Sequence, residues 1–414
     1  MDLLFKQISV FEHDAIHTDR GEMRISAMQL KLLQQFHGIN GIPYYSLIHN
    51  GIKFKEFVGV LRVGDTTIEV LPKTDKSNDI QKWRKVLIGM LHAAGLFDID
   101  APTVSNLNIK PNSILDLYFE LFIHELEYIL YRGLVKKYRK RSGNLHEFKG
   151  TLHFGKHISQ NIVHKERFFV TYTTYDHNHL IHSVLLKALK VLNSINTDAK
   201  LRSRINFLLL NFPELTDIQI SQSIFDKLSF DRKTTQYKNA VEIARLILLN
   251  YHPDISQGTN NVLSLMFDMN FLWERFILAS IRKYKSNAIT IHSQNVKYFW
   301  TTENGNKSKM KPDIVLNKGT ADCIVLDTKW KNINKTIPSS DDLRQMYVYS
   351  KFFNAKKVAL VYPGDFTSIK GGNYYSEITD EVCDNNCSLI IIAVQEDIRR
   401  WQKSISNQIV TWHL

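Results

Sequence analysis

Two short segments of the chain hold the residue types that divalent-metal chemistry needs. Lys311-Pro312-Asp313-Ile314-Val315-Leu316 and Ile324-Val325-Leu326-Asp327-Thr328-Lys329 both read as strands. Side chains two apart in an extended chain point to the same side, so Asp327 and Lys329 share a face and Thr328 points away. If the two strands are neighbours, Asp313 comes beside Asp327. Two carboxylates at one point repel each other unless a cation sits between them. Hard oxygen ligands of this kind suit Mg²⁺ or Mn²⁺. An ammonium group alongside would orient and polarise an attacking water, or hold charge that develops on a phosphate. That is the minimum equipment for hydrolysing a phosphodiester bond. A D-x-K triplet alone arises by chance on many strands. Here it gains weight from the Pro-Asp on an apolar strand before it and from the helix bearing Gln345 and Tyr349 after it.

These residues need rigid elements to hold them. A helix is expected from Ser264 to Tyr284 and another near Asp341 to Phe353, where Gln345 and Tyr349, four apart, share a face. Lys357–Tyr362 and Leu389–Val394 are further strand-like runs, giving an α/β order. Upstream, Phe57–Val63 and Thr67–Leu71 are β-branched runs joined by Gly64-Asp65, a hairpin signal, and Pro72 ends the second. Asp79 to Gly95 has helical spacing in Trp83, Val86, Leu87, Met90 and Leu91. Ile114–Leu134, Leu180–Leu192 and Tyr237–Tyr251 also read as helices, around an extended basic stretch from Lys136 to Phe169. A loop at 252–261 marks a boundary. The expected organisation is a β-rich domain over residues 1–100, a mostly helical one over 101–260 and an α/β one over 261–414.

Pro312-Asp313, thirteen residues and then Asp327-Thr328-Lys329 fit the PD-(D/E)xK nuclease motif. Several further blocks together resemble the McrC family, the nuclease subunits of McrBC-type modification-dependent restriction systems. They are Asp268-Met269-Asn270 with Trp273-Glu274-Arg275-Phe276, Asp327-Thr328-Lys329-Trp330-Lys331, Asp342 with Gln345-Met346-Tyr347 and Tyr349, and Val361-Tyr362-Pro363. Gly59-Val60, Ile68-Glu69-Val70-Leu71-Pro72-Lys73, Gly150-Thr151-Leu152 and Phe230-Asp231-Arg232 extend the resemblance over roughly residues 40 to 400.

The resemblance implies a mixed sheet flanked by helices in the C-terminal domain and a Mg²⁺-dependent DNA endonuclease leaving 5′-phosphate and 3′-hydroxyl ends. Asp313 and Asp327 would be metal ligands, Lys329 the catalytic lysine, and Gln345 a supporting catalytic residue. The Thr328 carbonyl would be a further ligand. Glu274 matches an acidic position that completes the metal site in some relatives. The implied partners are DNA containing modified cytosine and a hexameric McrB-like AAA+ GTPase. The family further implies that the N-terminal region docks on that motor and stimulates its GTP hydrolysis. Two other readings stay open: a nuclease that acts alone or with a different motor, and a non-catalytic activator of an AAA+ ring.

Each site residue also has a plainer role. Glu274 could pair with Arg275 or Lys283 on a helix surface, and Tyr349 could support the site, touch DNA or pack in the core. The run Lys136-Lys137-Tyr138-Arg139-Lys140-Arg141 could follow a phosphate backbone through Lys137, Arg139 and Arg141, or form a solvated helix end. Lys331, Lys335, Arg344 and Lys351 surround the motif and are better placed to neutralise phosphates.

The 414 residues include 53 Lys+Arg against 41 Asp+Glu, a formal charge of +12, which allows a polyanionic partner without proving one. At 44% hydrophobic and 23% charged the chain is neither disordered nor fibrous. No apolar run approaches the roughly 20 residues that span a bilayer, and charges at Asp2 and Lys6 come too early for a signal peptide. A cytoplasmic protein is therefore expected. Cys323, Cys383 and Cys387 make no disulfide framework or zinc site. No Walker A motif is present, so the chain is not its own nucleotide-driven motor. His177-Asn178-His179 lacks the spacing of an HNH nuclease. Seven of the 16 His lie between His146 and His182, with spacings that favour surface or DNA-facing roles over zinc.

Overall fold

The computed structural model describes residues 6–40, 43–74, 78–95, 114–196, 198–252, 262–285, 289–331, 333, 337–376 and 381–413. Of the loop read at 252–261, residues 253–261 lie outside them, as do the boundary at 100–101 and Lys335; His252 ends a short strand, Tyr251–His252. The chain divides into two compact units, residues 1–107 with 254–414, and residues 108–253. The stretches expected as separate domains at 1–100 and 261–414 thus fall within one unit.

That first unit begins with the hairpin. Phe57–Val63 pairs antiparallel with Thr66–Leu71 around Gly64, and Lys6–Phe11 runs parallel to the second strand. The other side of Phe57–Val63 takes Val262–Asp268. This corrects the expected helix from Ser264: the helix starts at Met269, where Asp268 caps it by accepting from the Asn270 and Phe271 N–H groups at 2.8 and 3.2 Å. A short apolar run cannot by itself distinguish a buried strand from a helix, and here sheet pairing decides. Gly59 sits at φ +134°, and any side chain there would run into the Leu265 carbonyl. Only glycine permits this close approach.

Six strands form the C-terminal sheet, in the order Ile291–Ser293, Ile314–Leu316, Ile324–Thr328, Lys357–Gly364, Val382–Ala393, Ser368–Tyr375. The third, fourth and fifth are mutually parallel and the other pairs antiparallel, making a mixed sheet. Helix Ser340–Phe353 is the crossover between the third and fourth strands. It buries Met346, Tyr349 and Phe353 on Val315, Val325, Val358 and Leu360. Ile324 and Leu326, on the other face, are equally buried. Helices Met269–Tyr284 and Ile398–His413 pack together there through Trp273, Phe276 and Trp401, whose rings lie 4.7 to 6.1 Å apart. Among the described residues no helix is long and apolar enough to cross a membrane.

The second unit holds helices Ile114–Arg132, Leu180–Ile195, Ala199–Asn211 and Lys238–Leu249, with a three-stranded sheet in which Phe168–Asp176 lies between Lys137–Leu145 and Thr151–Leu152. The basic run is therefore a strand and not a helix end. His182 is fully buried, contrary to the expected surface role. Its Nδ1 donates to the His177 carbonyl at 2.7 Å, which leaves Nε2 to accept from the Tyr237 hydroxyl at 3.1 Å. Burial, reinforced by His179, lowers its pKa to about 3.

The unfolded chain takes up this proton near pH 6.5 and the folded one only near 3, so stability is lost as pH falls below 6.5. The slope is about 1.4 kcal/mol per pH unit. We expect His182→Gln to flatten that slope. All six Trp lie in the first unit, so the test is the far-UV dichroism transition that has no tryptophan-fluorescence counterpart. An equally steep slope in the variant would refute the assignment.

Candidate active site

The antiparallel register Ile314↔Leu326, Val315↔Val325, Leu316↔Ile324, continued one step, sets Asp313 opposite Asp327. The ladder itself stops there, and the Asp313 carboxylate takes over. Its Oδ2 accepts from the Thr328 N–H at 2.7 Å and from the Thr328 hydroxyl at 2.8 Å. Thr328 thus does more than point away, since its hydroxyl helps to fix Asp313. Burial raises the pKa of both carboxyls, and at Asp327 the charge of Asp313 adds to the rise. At Asp313 the two Thr328 hydrogen bonds oppose it.

Lys329 Nζ stands 2.8 Å from Asp327 Oδ2 and 3.6 Å from Asp342 Oδ1. Burial alone would lower the ammonium pKa, but Asp327, Asp342 and Asp313 together carry it upward. Its position is braced twice. The Lys329 N–H donates to the Val361 carbonyl at 3.0 Å, and Nζ donates to Gln345 Oε1 at 3.2 Å. Gln345 Nε2 in turn donates to the Tyr349 hydroxyl at 2.7 Å, so the shared helix face does what the four-residue spacing suggested. Tyr349 is only 4% exposed, which puts it beneath Gln345 and not on an open surface.

Other expected residues stand further out. Glu274 is partly buried and accepts weakly from Gln294 Nε2 at 3.4 Å. Burial, then the charge of Asp313, raises its carboxyl pKa, which puts it in the field of that residue. Exposed Lys331 lies 3.6 Å from Asp342, and exposed Arg344 pairs with Asp341 at 2.9 Å. Lys137 pairs with Asp231, and Arg139 and Arg141 with Asp176, at 3.3 to 3.5 Å; all five belong to the second unit. A phosphate there would compete with carboxylates already in place.

Three supporting residues escaped sequence reasoning. Trp330 donates from Nε1 to Glu12 Oε1 at 2.7 Å, and the same oxygen accepts from the Lys73 N–H at 2.9 Å. Burial pushes the Glu12 carboxyl up to about 7. The Trp330 N–H donates to Asn270 Oδ1 at 3.1 Å. Glu12, Lys73 and Asn270 therefore hold the residue next to Lys329. Contacts across 318 positions leave no local signal; Lys73, Asn270 and Trp330 stand in the quoted blocks, whereas nothing pointed to Glu12.

The donor set fits a hard divalent cation. Asp327 Oδ2 is buried without an aligned hydrogen-bond donor despite its ion pair with Lys329, and burial disfavours the charged form of both carboxyls, a cost that a bound cation offsets. Among the described residues no three His, Cys, Asp or Glu side chains form a ready cage. Mg²⁺, however, typically uses one or two carboxylates and completes its shell with water and substrate oxygens.

Fold and site thus define a mixed α/β protein with paired carboxylates and a braced lysine at one end of its sheet. The family model described as "McrBC 5-methylcytosine restriction system component" matches residues 52–363, and the chain belongs to that family. The resemblance to McrC carried by the motifs is borne out. One similar solved chain comes from a refined half-complex of a tetradecameric assembly of Thermococcus gammatolerans McrB AAA+ hexamers with bound McrC. It has a TM-score of 0.74 and 19% identity, covering 98% of this chain and 100% of that one. A chain from the cryo-EM structure of the Thermococcus gammatolerans McrBC complex has a TM-score of 0.53 and 19% identity, covering 68% and 89%. At that identity the likeness concerns the fold. No curated protein matches the chain.

Proposed function

We propose that this chain is the DNA-cutting subunit of an McrBC-type restriction complex, a PD-(D/E)xK nuclease driven by an McrB-like AAA+ GTPase whose hydrolysis it stimulates. The observation that carries this reading is the meeting of Asp313, Asp327 and Lys329 at one strand end. Asp313, Asp327 and the Thr328 carbonyl would hold Mg²⁺, with Glu274 a further acidic group in the field of Asp313. When bound, the ion supplies positive charge that acidifies water and draws charge from a phosphate.

The chain's own residues do the positioning. Thr328 fixes Asp313. Gln345 and Asp342 hold the Lys329 ammonium, and Tyr349 holds Gln345. Lys329 then stands ready to orient the attacking water and to bear negative charge as it grows on the phosphate. Preorganised charge in a partly dry site is worth far more than in water.

The test is a cleavage assay on 5-methylcytosine DNA with the chain, an McrB-type partner, GTP and Mg²⁺. Cutting is expected only with all components present and is expected to stop on chelation with EDTA. Efficient cutting without partner or GTP would remove the motor from the scheme. Cutting that persists in EDTA would remove the metal.

A further inference from the structure

Between the strand Ile291–Ser293 and Asp313 the chain makes a two-stranded ribbon of its own. Lys297–Thr301 pairs antiparallel with Lys307–Met310 and, among the described residues, joins no other sheet. Its turn is tightly made: the Thr302 N–H donates to the Asn306 carbonyl at 2.8 Å, the Asn306 N–H to Thr302 Oγ1 at 2.9 Å, and Gly305 takes φ +82°.

The base of the ribbon is anchored. Met310 is buried in the core with Tyr349 and Phe353, and Lys297 donates from Nζ to the Phe352 carbonyl at 2.6 Å. The rest is open. Tyr298, Phe299 and Trp300 are 54%, 49% and 58% exposed, an apolar run that a finished surface rarely displays.

A bulge between Tyr298 and Trp300 shifts the register so that Tyr298 faces Lys309 and Thr301 faces Lys307. Tyr298, Lys307 and Lys309 therefore share one side. The two ammonium groups lie 5.2 and 6.0 Å from the Tyr298 ring centre, and neither pairs with a carboxylate among the described residues. From Lys297 to Lys311 there are four Lys against one acid, Glu303. The second strand leads within three residues to Asp313.

We propose that this ribbon is a DNA-gripping element of the cutting site, a proposal that rests on the nuclease reading above. Lys307 and Lys309 meet backbone phosphates. Phe299 and Trp300 lie against bases or sugars beside the scissile bond. Charge complementarity favours a polyanion over an apolar protein partner, and the Tyr298 ring beside two ammonium groups, with Phe299 and Trp300 exposed next to it, suits the alternation of base and phosphate. A two-stranded ribbon is also narrow enough to enter the major groove of a duplex. The anchored base transmits the grip to the strand that carries Asp313.

The test is titration of a fluorescent duplex with the full chain in EDTA, where no cutting occurs, over a series of salt concentrations. Lys307→Glu/Lys309→Glu is expected to weaken binding and to lower the slope of log affinity against log salt by about 2, one for each lost phosphate contact. Phe299→Ala/Trp300→Ala is expected to weaken binding about tenfold and leave that slope unchanged, because stacking releases no counterions. Wild-type affinity and slope in both variants would overturn the proposal, as would absence of DNA binding by the wild-type chain. Lost assembly with the AAA+ partner at unchanged DNA affinity would also overturn it and make the ribbon a protein-docking surface. Cleavage by an Asp327→Asn protein, assayed separately with Mg²⁺, reports on the nuclease reading alone, so the two failures are distinguishable.

Discussion

Asp327→Asn is expected to reduce single-turnover cleavage by about 10²- to 10³-fold, as removal of a preorganised charge from a reacting centre typically does, while the protein unfolds at the same denaturant concentration or a higher one. The two readouts belong together. Asp327 is 2% exposed, and burial together with the neighbouring Asp313 charge raises its carboxyl pKa. The charged form is thus disfavoured in the folded chain, and the neutral amide removes that cost. Lys329 keeps Asp342 and Gln345 as partners in the variant.

Lys329→Ala should behave oppositely in stability. It is expected to lose about 10²- to 10³-fold in rate and to destabilise the fold, because three carboxylates then face one another with less compensation. A purely structural ion pair would lose stability on removal of either partner. Full cleavage by Asp327→Asn, or a marked loss of stability with cleavage intact, would refute the assignment.

The parts of the site legible in the sequence are those set by short-range periodicity. A period of two put Asp327 and Lys329 on one face, and the four-residue step put Gln345 beside Tyr349. Strand pairing brought Asp313 opposite Asp327 because an antiparallel register fixes facing residues once two short strands are neighbours. The remainder depends on contacts that local pattern does not encode. Ser264–Asp268 read as the start of a helix, since the partner strand Phe57–Val63 lies some two hundred residues away. Glu12 had no reason to stand out until Trp330 and Lys73 were placed around it. His182 read as a surface residue because its cover comes from Tyr237, Phe212 and its own neighbours His177 and His179. In each case burial of an apolar or polar group by a distant segment overrode local propensity, which is a weak prior at best.

One such distant contact joins the core to the site. Trp273 is fully buried, with its ring centre 5.4 Å from Trp330 and 5.6 Å from Trp401. Its Nε1 donates to the Val361 carbonyl at 3.2 Å, the carbonyl that also accepts the Lys329 N–H. Trp273→Ala empties the volume between two indoles and is expected to cost about 3–5 kcal/mol, the usual range for a large aromatic lost from a core. Against a typical stability of about 5–15 kcal/mol, that would leave the first unit near the edge of folding. Trp273→Phe keeps most of the stacking and loses one hydrogen bond, so about 1–2 kcal/mol is expected. It should fold and be impaired in cleavage, because Val361 then holds Lys329 without its second donor. Denaturant unfolding followed by the fluorescence of the remaining tryptophans, all in the same unit, measures both variants. A cost below about 1 kcal/mol for Trp273→Ala would show that the ring does not hold the core packed behind the lysine strand, since cavities in close-packed cores are otherwise expensive.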